Sequence, residues 1–450
     1  MTSVVWFRRD VRLTSNPAWS AATHDDEVVP LFVIDPALFD DATTRRRTLL
    51  LGGLADLDRS LQARGGRLRV EIGPPVEVVP RVAVESGAET VHVNGEITPY
   101  GRRRDEAVAD RVALVSHDGH YVHPPGSILT GAGNHYRVFT PYHRKWAERA
   151  PDETGEPGLA AILDDPGQGI PDRPTSAEDA GESVALEQLE EFAAGPADRY
   201  GEDRDAPARD ATSRLSAAFK YGWLSPTHAL RAVGTSTAGR SAWARQLAWR
   251  DFLAQLMDRY PDSPNEEMRP EFRGIEWRED PSDLTAWKEG MTGYPFVDAG
   301  MRQLLAEGWI HNRVRLVVAS FLVKDLLLDW RLGERHFRRH LIDADVSQNV
   351  GNWQWVAGVG ADAAPYFRVF NPITQGERHD PGGEYIRRWV PELSALPPRL
   401  AHAPFRRVDE VAEHGLILGD DYPFPLVEHD FARERALETF GRAKAGYDSS

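Results

Sequence analysis

The first 130 residues alternate between short apolar runs and stretches with helical periodicity. Five apolar runs suit strands buried in a parallel sheet: 3–7, 28–35, 68–73, 90–95 and 112–117. The stretches between them, such as 43–63 and 76–86, are typical of helices. This order predicts a doubly wound α/β domain with its ligand crevice at the carboxyl ends of the strands. No G-x-G-x-x-G sequence follows the first run, so a dinucleotide is not indicated there.

The pattern becomes helical from about residue 200. The stretch 309–330 is apolar nearly all round, which predicts a helix inside a large bundle. Residues 151–210 are rich in acidic residues, proline and glycine, which predicts a solvated linker. The predicted organisation is therefore an α/β domain over 1–130, a long linker over 131–199 and an all-α domain over 200–450. A chain of 450 residues has room for these parts.

The net charge of −16 is unevenly distributed. Residues 151–210 hold 17 acidic residues against 4 arginines, a net of −13, so the rest of the chain sums to −3. Residues 368–407 hold 7 arginines against 4 acidic residues. A basic face can exist on such a protein, and the overall charge does not exclude nucleic acid as a partner.

The sequence contains no cysteine. This excludes disulfides, thiolate nucleophiles and iron–sulfur clusters, and it favours a cytoplasmic protein. Charges at residues 8–12 interrupt the start of the chain, which predicts no signal peptide. No apolar run approaches the ~20 residues of a membrane span, and we predict no membrane association and no metal site.

Two short motifs carry candidate chemistry. "SQNVGNWQW" (347–355) places an amide and two indoles close together. If this segment is helical, Trp353 and Trp355 point about 200° apart and serve two different surfaces. "TSRLS" (212–216) places hydroxyls at a predicted helix start. Free N–H groups there suit a phosphate, although ordinary capping explains the same residues.

Several long motifs follow one another over essentially the whole chain: "VVWFRRDVRLTSNPAW", "TSRLSAAFKYGWLSP", "WARQLAWRDF", "TGYPFVDAGMRQL", "GWIHNRVRLVVASFLVKDLLLDWRLGE" and "DADVSQNVGNWQW" continuing to "DAAPYFRVFNPITQGERHD". In sequence and order they resemble the photolyase/cryptochrome family. Within the family the chain looks most like bacterial class I photolyases, which repair cyclobutane pyrimidine dimers (CPD). The resemblance implies an antenna-binding α/β domain, a linker and a helical domain that binds DNA and FAD, with FAD folded over on itself.

The resemblance also implies the FAD-binding residues. Those expected at the phosphates are Tyr200, Arg204, Thr212, Ser213, Arg214, Leu215 and Ser216. Those expected around the ring and ribose are Trp243, Trp309, Asn312, Arg315, Asp343 and Asp345. Asn349 is expected to face flavin N5, where a neutral amide avoids the repulsion that a carboxylate would exert on reduced, anionic FAD.

The implied reaction is light-dependent DNA repair by a carbon–carbon lyase. Photoexcited reduced FAD donates an electron to the flipped-out dimer, the cyclobutane ring splits and the electron returns. Trp353, Trp330 and Trp277 are the expected electron-transfer chain. Trp249 and Trp355 are expected to wall the substrate pocket. The other expected substrate or DNA contacts are Gln246, Arg250, Asn312, Arg313, Leu316, Arg368 and Gln375.

Two positions depart from the class I pattern. Gln246 stands where those enzymes carry a glutamate that steadies the dimer radical anion, and Leu316 replaces a methionine that packs on the dimer. Glutamine at the position of Gln246 is typical of cryptochromes and (6-4) photolyases. The alternatives are therefore a cryptochrome-like blue-light photoreceptor and a (6-4) photolyase. Against the latter, eukaryotic (6-4) enzymes carry histidines where this chain has Asn312 and Leu316.

A second chromophore is expected in the α/β domain. "EITPYGRRRD" (96–105) looks like the loop that binds a deazaflavin (8-HDF) antenna. A folate antenna (methenyltetrahydrofolate) generally goes with an Asn-Glu pair where this chain has Tyr100 and Gly101. The expected partner is UV-damaged DNA with pyrimidine dimers, and we expect a monomer.

Overall fold

The computed structural model describes residues 1–172 and 180–448. The chain forms two compact units. The first comprises Met1–Gly201 and Ser213–Pro261, and the second comprises Glu202–Thr212 and the chain from Asp262 onward. The helices between 216 and 259 therefore belong to the same compact unit as the sheet, whereas the sequence predicted a boundary near residue 200.

A parallel sheet forms the core of the first unit. Its strands are β1 (Thr2–Phe7), β2 (Glu27–Ile34), β3 (Arg69–Ile72), β4 (Thr90–Asn94), β5 (Leu114–His117) and β6 (Ala161–Ile162). Their order is β3-β2-β1-β4-β5, and β6 pairs with the start of β2. All five predicted strands and the doubly wound α/β class are confirmed. The strand β5 is an exception to the predicted burial, because it lies at the sheet edge with Val115 40% exposed.

Helices complete the first unit. In chain order they are α1 (Pro17–Ala22), α2 (Pro36–Phe39), α3 (Thr44–Gln62), α4 (Pro75–Ser86), α5 (Pro99–Ala109), α6 (Phe139–Glu148), α7 (Glu182–Ala194), α8 (Pro196–Asp203), α9 (Ser216–Tyr221), α10 (Pro226–Val233) and α11 (Ala238–Arg259). The last two residues of one of them, α8, belong to the second unit. Several begin with a polar N-cap followed by proline, such as Asn16-Pro17 and Ser225-Pro226. Proline suits the first helical position because it lacks an N–H group, and an N–H at that position would have no intrahelical partner.

The acidic segment is more closely tied to the sheet domain than a solvated linker would be. Gly158 donates its N–H to the Thr23 hydroxyl, and β6 extends the sheet. In α7, Glu182 is 7% exposed and accepts hydrogen bonds from the backbone N–H groups of Leu13 and Thr14. The linker prediction for residues 173–179 lies outside the described residues. In the parts that are described, specific backbone contacts replace the predicted solvation.

The second unit is helical, as predicted for the C-terminal part of the chain. It contains α12 (Pro281–Glu289), α13 (Pro295–Glu307), α14 (Asn312–Ser320), α15 (Trp330–His340), α16 (Val346–Ala357), α17 (Pro372–His379), α18 (Glu384–Trp389), α19 (Pro398–Ala401), α20 (Val408–Glu413) and α21 (His429–Asp448). Short 3-10 turns lie at Pro270–Phe272, Pro391–Leu393 and Pro404–Arg406.

The prediction of one continuous helix over 309–330 is wrong. Helix α14 ends at Ser320, and a π-helical turn follows directly over Phe321–Asp325. The chain then reverses at Leu327, whose φ of +55° cannot continue a right-handed helix. A new helix, α15, starts at Trp330 with Asp329 as its N-cap. Apolarity predicted the burial of this stretch correctly, but it does not record where the backbone turns.

Candidate functional site

A cleft in the second unit lies between α14, α15 and α16. Its cavity volume is about 70 Å³. Seven of the residues predicted from the sequence line it together: Asn312, Arg315, Leu316, Asp343, Asp345, Asn349 and Trp353. These residues are spread over more than 40 positions, and the three helices bring them to one place.

An ion pair forms one wall of the cleft. Arg315 donates from one terminal nitrogen to Asp343 Oδ2 at 2.7 Å and from Nε to the carbonyl of Ile310 at 2.7 Å. The Asp343 side chain is 2% exposed, and its other oxygen, Oδ1, is buried without a hydrogen-bond partner among the described residues. A buried carboxylate oxygen of this kind needs a donor to offset its desolvation. The cleft therefore presents an acceptor to a ligand N–H or O–H.

Helix α16 positions the amide of Asn349. The side chain of Asp345 caps this helix by accepting from the Gln348 N–H and the Ser347 hydroxyl. The Asn349 amide nitrogen donates to the backbone carbonyl of Glu334 at 3.0 Å and to its Oε1 at 2.9 Å. With its nitrogen committed to Glu334, the amide presents its oxygen to the cleft. Burial raises the pKa of Glu334, against the opposing effect of Arg338.

The two indoles of α16 serve different surfaces, as the sequence predicted. Trp353 is 2% exposed and packs edge-on against Phe337, with ring centres 5.1 Å apart. It also closely approaches Gly333, where an added Cβ would lie 2.2 Å from the indole. Trp355, two residues later, is half-buried and does not line this cleft. The geometry of one helix separates the two rings.

The other two predicted electron-transfer tryptophans follow a gradient of exposure. Trp330 is fully buried and lies one turn before Gly333 on α15, so it shares the helix that contacts Trp353. Trp277 is partly exposed, with its ring 5.8 Å from that of Phe440. Its neighbour Arg278 pairs with the 326–328 segment that leads into α15. This order agrees with a proximal, a middle and a surface position.

Three predicted cofactor residues meet within the first unit. Trp243 is buried and donates from Nε1 to the Ser213 hydroxyl at 3.2 Å. Phe192 contacts both Trp243 and Tyr200, with ring centres 5.7 and 6.1 Å apart. Helix α9 starts at Ser216 without a side-chain cap on its N-terminus. The hydroxyls of "TSRLS" therefore do not cap this helix, and the Ser213 hydroxyl accepts from Trp243 instead.

The predicted substrate residues on α11 have unequal exposure. Trp249 is half-buried and stacks on Phe139, with ring centres 3.7 Å apart and an interplanar angle of 9°. Gln246 is half-buried and donates from Nε2 to the Ala242 carbonyl at 2.9 Å. Arg250 is only 8% exposed and donates to the backbone carbonyls of His120 and Phe219. We therefore leave Arg250 out of the proposed DNA contacts, because its guanidinium is engaged inside the first unit.

The remaining predicted residues lie in the second unit. Arg313, which follows Asn312 on α14, pairs with Asp205 at 2.9 Å. Arg368 is exposed, and Gln375 is half-buried on α17. Trp309 is half-buried and contacts His311 edge-on at 6.2 Å between ring centres. Arg204 directly follows α8 and precedes Asp205. Burial opposes the ionisation of Asp205, but Arg313 lowers its pKa overall.

A second cluster of charged residues lies at the carboxyl ends of β1 and β4, where the strand order reverses. Arg104 pairs with Glu96 at 2.7 Å and Asp105 at 2.8 Å, and Arg8 pairs with Asp105 at 2.5 Å. The guanidiniums of Arg8 and Arg104 lie 4.8 and 4.9 Å from the centre of the Trp6 ring. Such a switch point is a usual ligand-binding position in open α/β sheets.

Sequence reasoning missed several residues of the cleft. Asn352 and Val356 line it from α16, Phe337 lines it from α15, and Leu341 lines it just after the end of α15. The spacing 349, 352, 356 is one helical face, so helical periodicity extended from Asn349 was the signal for the first two. Glu334 carried no local signal, because its role depends on the packing of α15 against α16.

Among the described residues, no group of three or more histidine or acidic side chains is arranged to hold a metal ion. No helix in the same part of the chain has the length and apolarity needed to cross a bilayer.

An α/β sheet unit and a helical unit with a polar cleft define a class of protein that binds a flat, hydrogen-bonding ligand. The buried Asp343 oxygen, the oriented Asn349 amide and Arg315 fit the N–H, carbonyl and N5 groups at the edge of an isoalloxazine ring. Comparison with known proteins agrees with this fit. Residues 243–442 match the FAD binding domain of DNA photolyase, and residues 3–158 match the DNA photolyase domain. The chain belongs to the photolyase/cryptochrome family.

Its relatives cover nearly the whole chain. It is 39% identical to the deoxyribodipyrimidine photo-lyase of Agrobacterium fabrum over 98% of each chain. It is 41% identical to that of Streptomyces griseus, covering 96% of this chain and 98% of the relative.

Solved structures agree with the sequence comparison. A class III photolyase from Agrobacterium tumefaciens superposes with a TM-score of 0.90 at 37% identity, covering 99% of this chain and 98% of that one. A Synechocystis cryptochrome gives a TM-score of 0.88 at 28% identity, covering 97% and 99%. The predicted family is confirmed. The assignment to class I within it stays a prediction, since one similar structure is of class III.

Proposed function

We propose that this protein is a light-dependent DNA-repair enzyme that splits cyclobutane pyrimidine dimers. The observation that carries the proposal is the cleft of the second unit, where Arg315, Asp343 and Asn349 are arranged for a flavin edge. The photo-lyase names of relatives that span nearly the whole chain support the same function.

The proposed roles follow from the chemistry of each side chain. When bound, reduced FAD supplies the electron that light drives into the dimer. Asp343 would accept a hydrogen bond from the ring, while Arg315 compensates its charge and favours an anionic ligand. Asn349 would present its oxygen to N5, because Glu334 holds its nitrogen. The protein contributes position and electrostatics, and no general base is required.

We propose that the tryptophans act as an electron path between cofactor and surface. Burial of Trp353 and Trp330 keeps these rings dry and fixed, and partial exposure of Trp277 opens the path to solvent. The sequence-based roles of Trp249, Trp355, Gln246 and Leu316 toward the dimer stay predictions. The predictions for Tyr200, Trp243, Trp309, Arg204 and residues 212–216 likewise stay predictions.

A cryptochrome-like photoreceptor is the second candidate function. Gln246 stands where class I photolyases carry glutamate, and the similarity to the Synechocystis cryptochrome covers nearly the whole chain, at a lower identity than that to photolyases. Asn349 favours repair, because the resemblance places it where photolyases carry the amide that faces flavin N5. A repair enzyme removes dimers from DNA under light, whereas a photoreceptor leaves them intact, so one repair assay distinguishes the two functions.

We propose a deazaflavin as antenna at the sheet's switch point, near the loop 96–105. The position at the carboxyl ends of β1 and β4 supports a ligand there. The relative from Sulfolobus tokodaii, with a TM-score of 0.84, 30% identity and coverage of 98% and 100% of the two chains, was solved with two FAD molecules. The absorbance of chromophore released from protein made in a deazaflavin-producing host distinguishes deazaflavin, folate and a second FAD.

The decisive experiment measures dimer loss in irradiated oligothymidine. Protein with chemically reduced FAD is incubated with the substrate under blue light or in the dark, and intact dimers are counted by chromatography. We expect loss only in the light. An oligonucleotide that carries a (6-4) photoproduct is the parallel substrate. Intact dimers at full FAD occupancy and full DNA binding would contradict the proposal, and loss of the (6-4) lesion alone would transfer it to that class.

UV-damaged DNA is the proposed partner. A monomeric state and a cytoplasmic location stay predictions from the sequence, to be measured by light scattering and by fractionation.

A further inference from the structure

The middle tryptophan of the predicted chain has a charged partner that the proposed function does not include. Trp330 is fully buried, and its indole Nε1–H donates to Oε1 of Glu267 at 3.1 Å. Glu267 is 3% exposed, and its second oxygen accepts from Arg331 at 2.8 Å. A buried carboxylate thus touches the one polar atom of a buried indole.

This carboxylate is held in place from the helix that carries Trp353. Gln354 is fully buried, and its amide nitrogen donates to the carbonyls of Ser263 and Glu266 at 2.7 and 2.8 Å. Its oxygen accepts from the N–H of Met268 at 2.9 Å. The loop that carries Glu267 is therefore fastened to α16 on both sides of Glu267.

The surroundings of Trp330 would otherwise oppose its oxidation. The guanidinium of Arg331 lies 4.9 Å from the centre of the Trp330 ring. A cation so close raises the energy of a positively charged indole, and in a buried site this effect is weakly screened. Glu267 and Asp329 both pair with Arg331, at 2.8 and 3.1 Å, and so offset its charge. Glu267 also lies against the indole N–H of Trp330, whose acidity rises when the ring loses an electron.

We propose that Glu267 is the charge-stabilising partner and proton acceptor of oxidised Trp330. The inference rests on the electron path of the proposed function, and its oxidant is photoexcited oxidised flavin, which would take an electron from Trp353. An electron passes from Trp330 to oxidised Trp353. The Nε1–H bond of Trp330 then breaks and an O–H bond forms at Glu267 Oε1, leaving a neutral indolyl radical and a carboxylic acid. When Trp277 supplies an electron, the proton returns to Nε1 and both groups are restored.

The test uses the FAD-bound protein and measures photoreduction instead of repair. Glu267→Gln keeps the size and an acceptor oxygen but removes the charge and the basic group. We expect its quantum yield of flavin photoreduction to fall at least about tenfold, since a charge this close to a buried ring has a large effect. Repair by chemically reduced protein should not change, because that step does not use Trp330. Glu266→Gln is the matched control, since this neighbouring carboxylate is half-exposed and pairs with Arg273.

Transient absorption provides the second readout on the unmodified protein. We expect the spectrum of a neutral indolyl radical after the Trp330 step, and a slower step in D₂O than in H₂O. If Glu267→Gln does not bind FAD, this measurement alone decides. An unchanged yield in Glu267→Gln, or a persistent radical cation without an isotope effect, would overturn the proposal.

Trp330→Phe separates this inference from the proposed electron path. If Trp330→Phe photoreduces normally, the electron path through Trp330 is refuted and the role of Glu267 falls with it. If Trp330→Phe loses photoreduction while Glu267→Gln keeps it, only the role of Glu267 is refuted.

Discussion

At the residue scale, the site depends on buried polar groups whose partners are specified individually. Asp343 has one oxygen on Arg315 and one buried without a partner among the described residues. Asn349 has its nitrogen fully used by Glu334. Since a buried polar group without a partner is costly, each of these atoms gives a sharp expectation for substitution.

Replacing Asp343 tests the cofactor cleft. Asp343→Asn leaves the Arg315 guanidinium without its carboxylate and weakens the acceptor that faces the ligand. We expect the dissociation constant for FAD to rise at least about tenfold, which corresponds to about 1.4 kcal/mol. Fluorescence titration of FAD measures it, with the exposed Asp420→Asn as the control. Unchanged FAD affinity in Asp343→Asn would remove this residue from the site.

Gln246 tests the account of substrate choice. Its amide nitrogen is used by the Ala242 carbonyl, so its oxygen is the atom left to a substrate. In its protonated form, Gln246→Glu can donate its carboxyl O–H to the dimer, which Gln246 does not do while its nitrogen is bonded to Ala242. A hydrogen bond to the anionic dimer is charge-assisted, so we expect a roughly twofold higher repair yield per absorbed photon. The yield is compared at equal FAD occupancy. A lower or equal yield would contradict the role given to this position.

Asp251 tests the pH dependence of stability. This buried carboxylate accepts from Trp146 Nε1 and the His123 N–H, yet burial outweighs these bonds and raises its pKa from 3.8 to about 6. Because the pKa is raised, the folded protein favours the protonated form of Asp251. The resulting stabilisation is complete below the pKa of this group in the unfolded chain, and it is lost as the pH rises through 6. Relative to Asp251→Asn, wild type should gain about 1 kcal/mol between pH 7.5 and pH 5. Urea unfolding at both values measures the difference, and a pH-independent difference would contradict it.

At the scale of elements, the close approach of α15 and α16 sets the position of the proximal tryptophan. Glycine at 333 makes this possible, because a Cβ there would meet the Trp353 ring at 2.2 Å and Leu322 at 2.5 Å. The π-helical turn and the reversal at Leu327 then aim α15 so that its first turn carries Trp330. The arrangement of the electron path is therefore a property of two helices and the turn before them.

Gly333→Ala tests this packing. The added methyl group must displace Trp353 or separate the helices, and such overpacking typically costs about 1–3 kcal/mol of unfolding free energy. Gly441→Ala on α21 is the control, since nothing lies within 4 Å of the added Cβ. It should be neutral or stabilising by up to about 1 kcal/mol. Denaturant unfolding measures both variants, and equal stability of the two would contradict the close contact.

At the scale of the whole molecule, charge is distributed so that an acidic protein retains basic positions. Most of the net charge of −16 comes from residues 151–210. The described parts of that segment contribute β6 and α7 to the sheet unit. The arginines of 368–407 belong to the helical unit. Phosphate contacts from such arginines should dominate binding to undamaged DNA.

Salt titration tests this distribution. Each phosphate contact contributes about 0.9 to the slope of log K against log salt for duplex DNA. Arg368 is exposed, so Arg368→Ala should lower that slope by about one and weaken binding to all sequences alike. Arg433→Ala, an exposed arginine on α21, is the control. An unchanged slope in Arg368→Ala would exclude this arginine as a phosphate contact.

Much of the fold and part of the site could be predicted from the amino-acid sequence alone. Alternation of apolar runs predicted the strands of the parallel sheet, because burial of both sheet faces requires such runs. The 3.6-residue period predicted the opposite directions of Trp353 and Trp355. The motif resemblance predicted seven of the residues that line the cleft.

Other features required the tertiary structure, because they arise between segments that are distant in sequence. Arg250 is a guanidinium like any other in the sequence, yet in the structure its donors satisfy carbonyls inside the first unit. The apolar stretch 309–330 does not reveal its turn at Leu327, since apolarity reports burial and not backbone direction. Glu334 and Glu267 acquire meaning only from the groups that they contact, Asn349 and Trp330. Local sequence determines periodicity and burial, whereas the pairing of buried polar atoms depends on which helices meet.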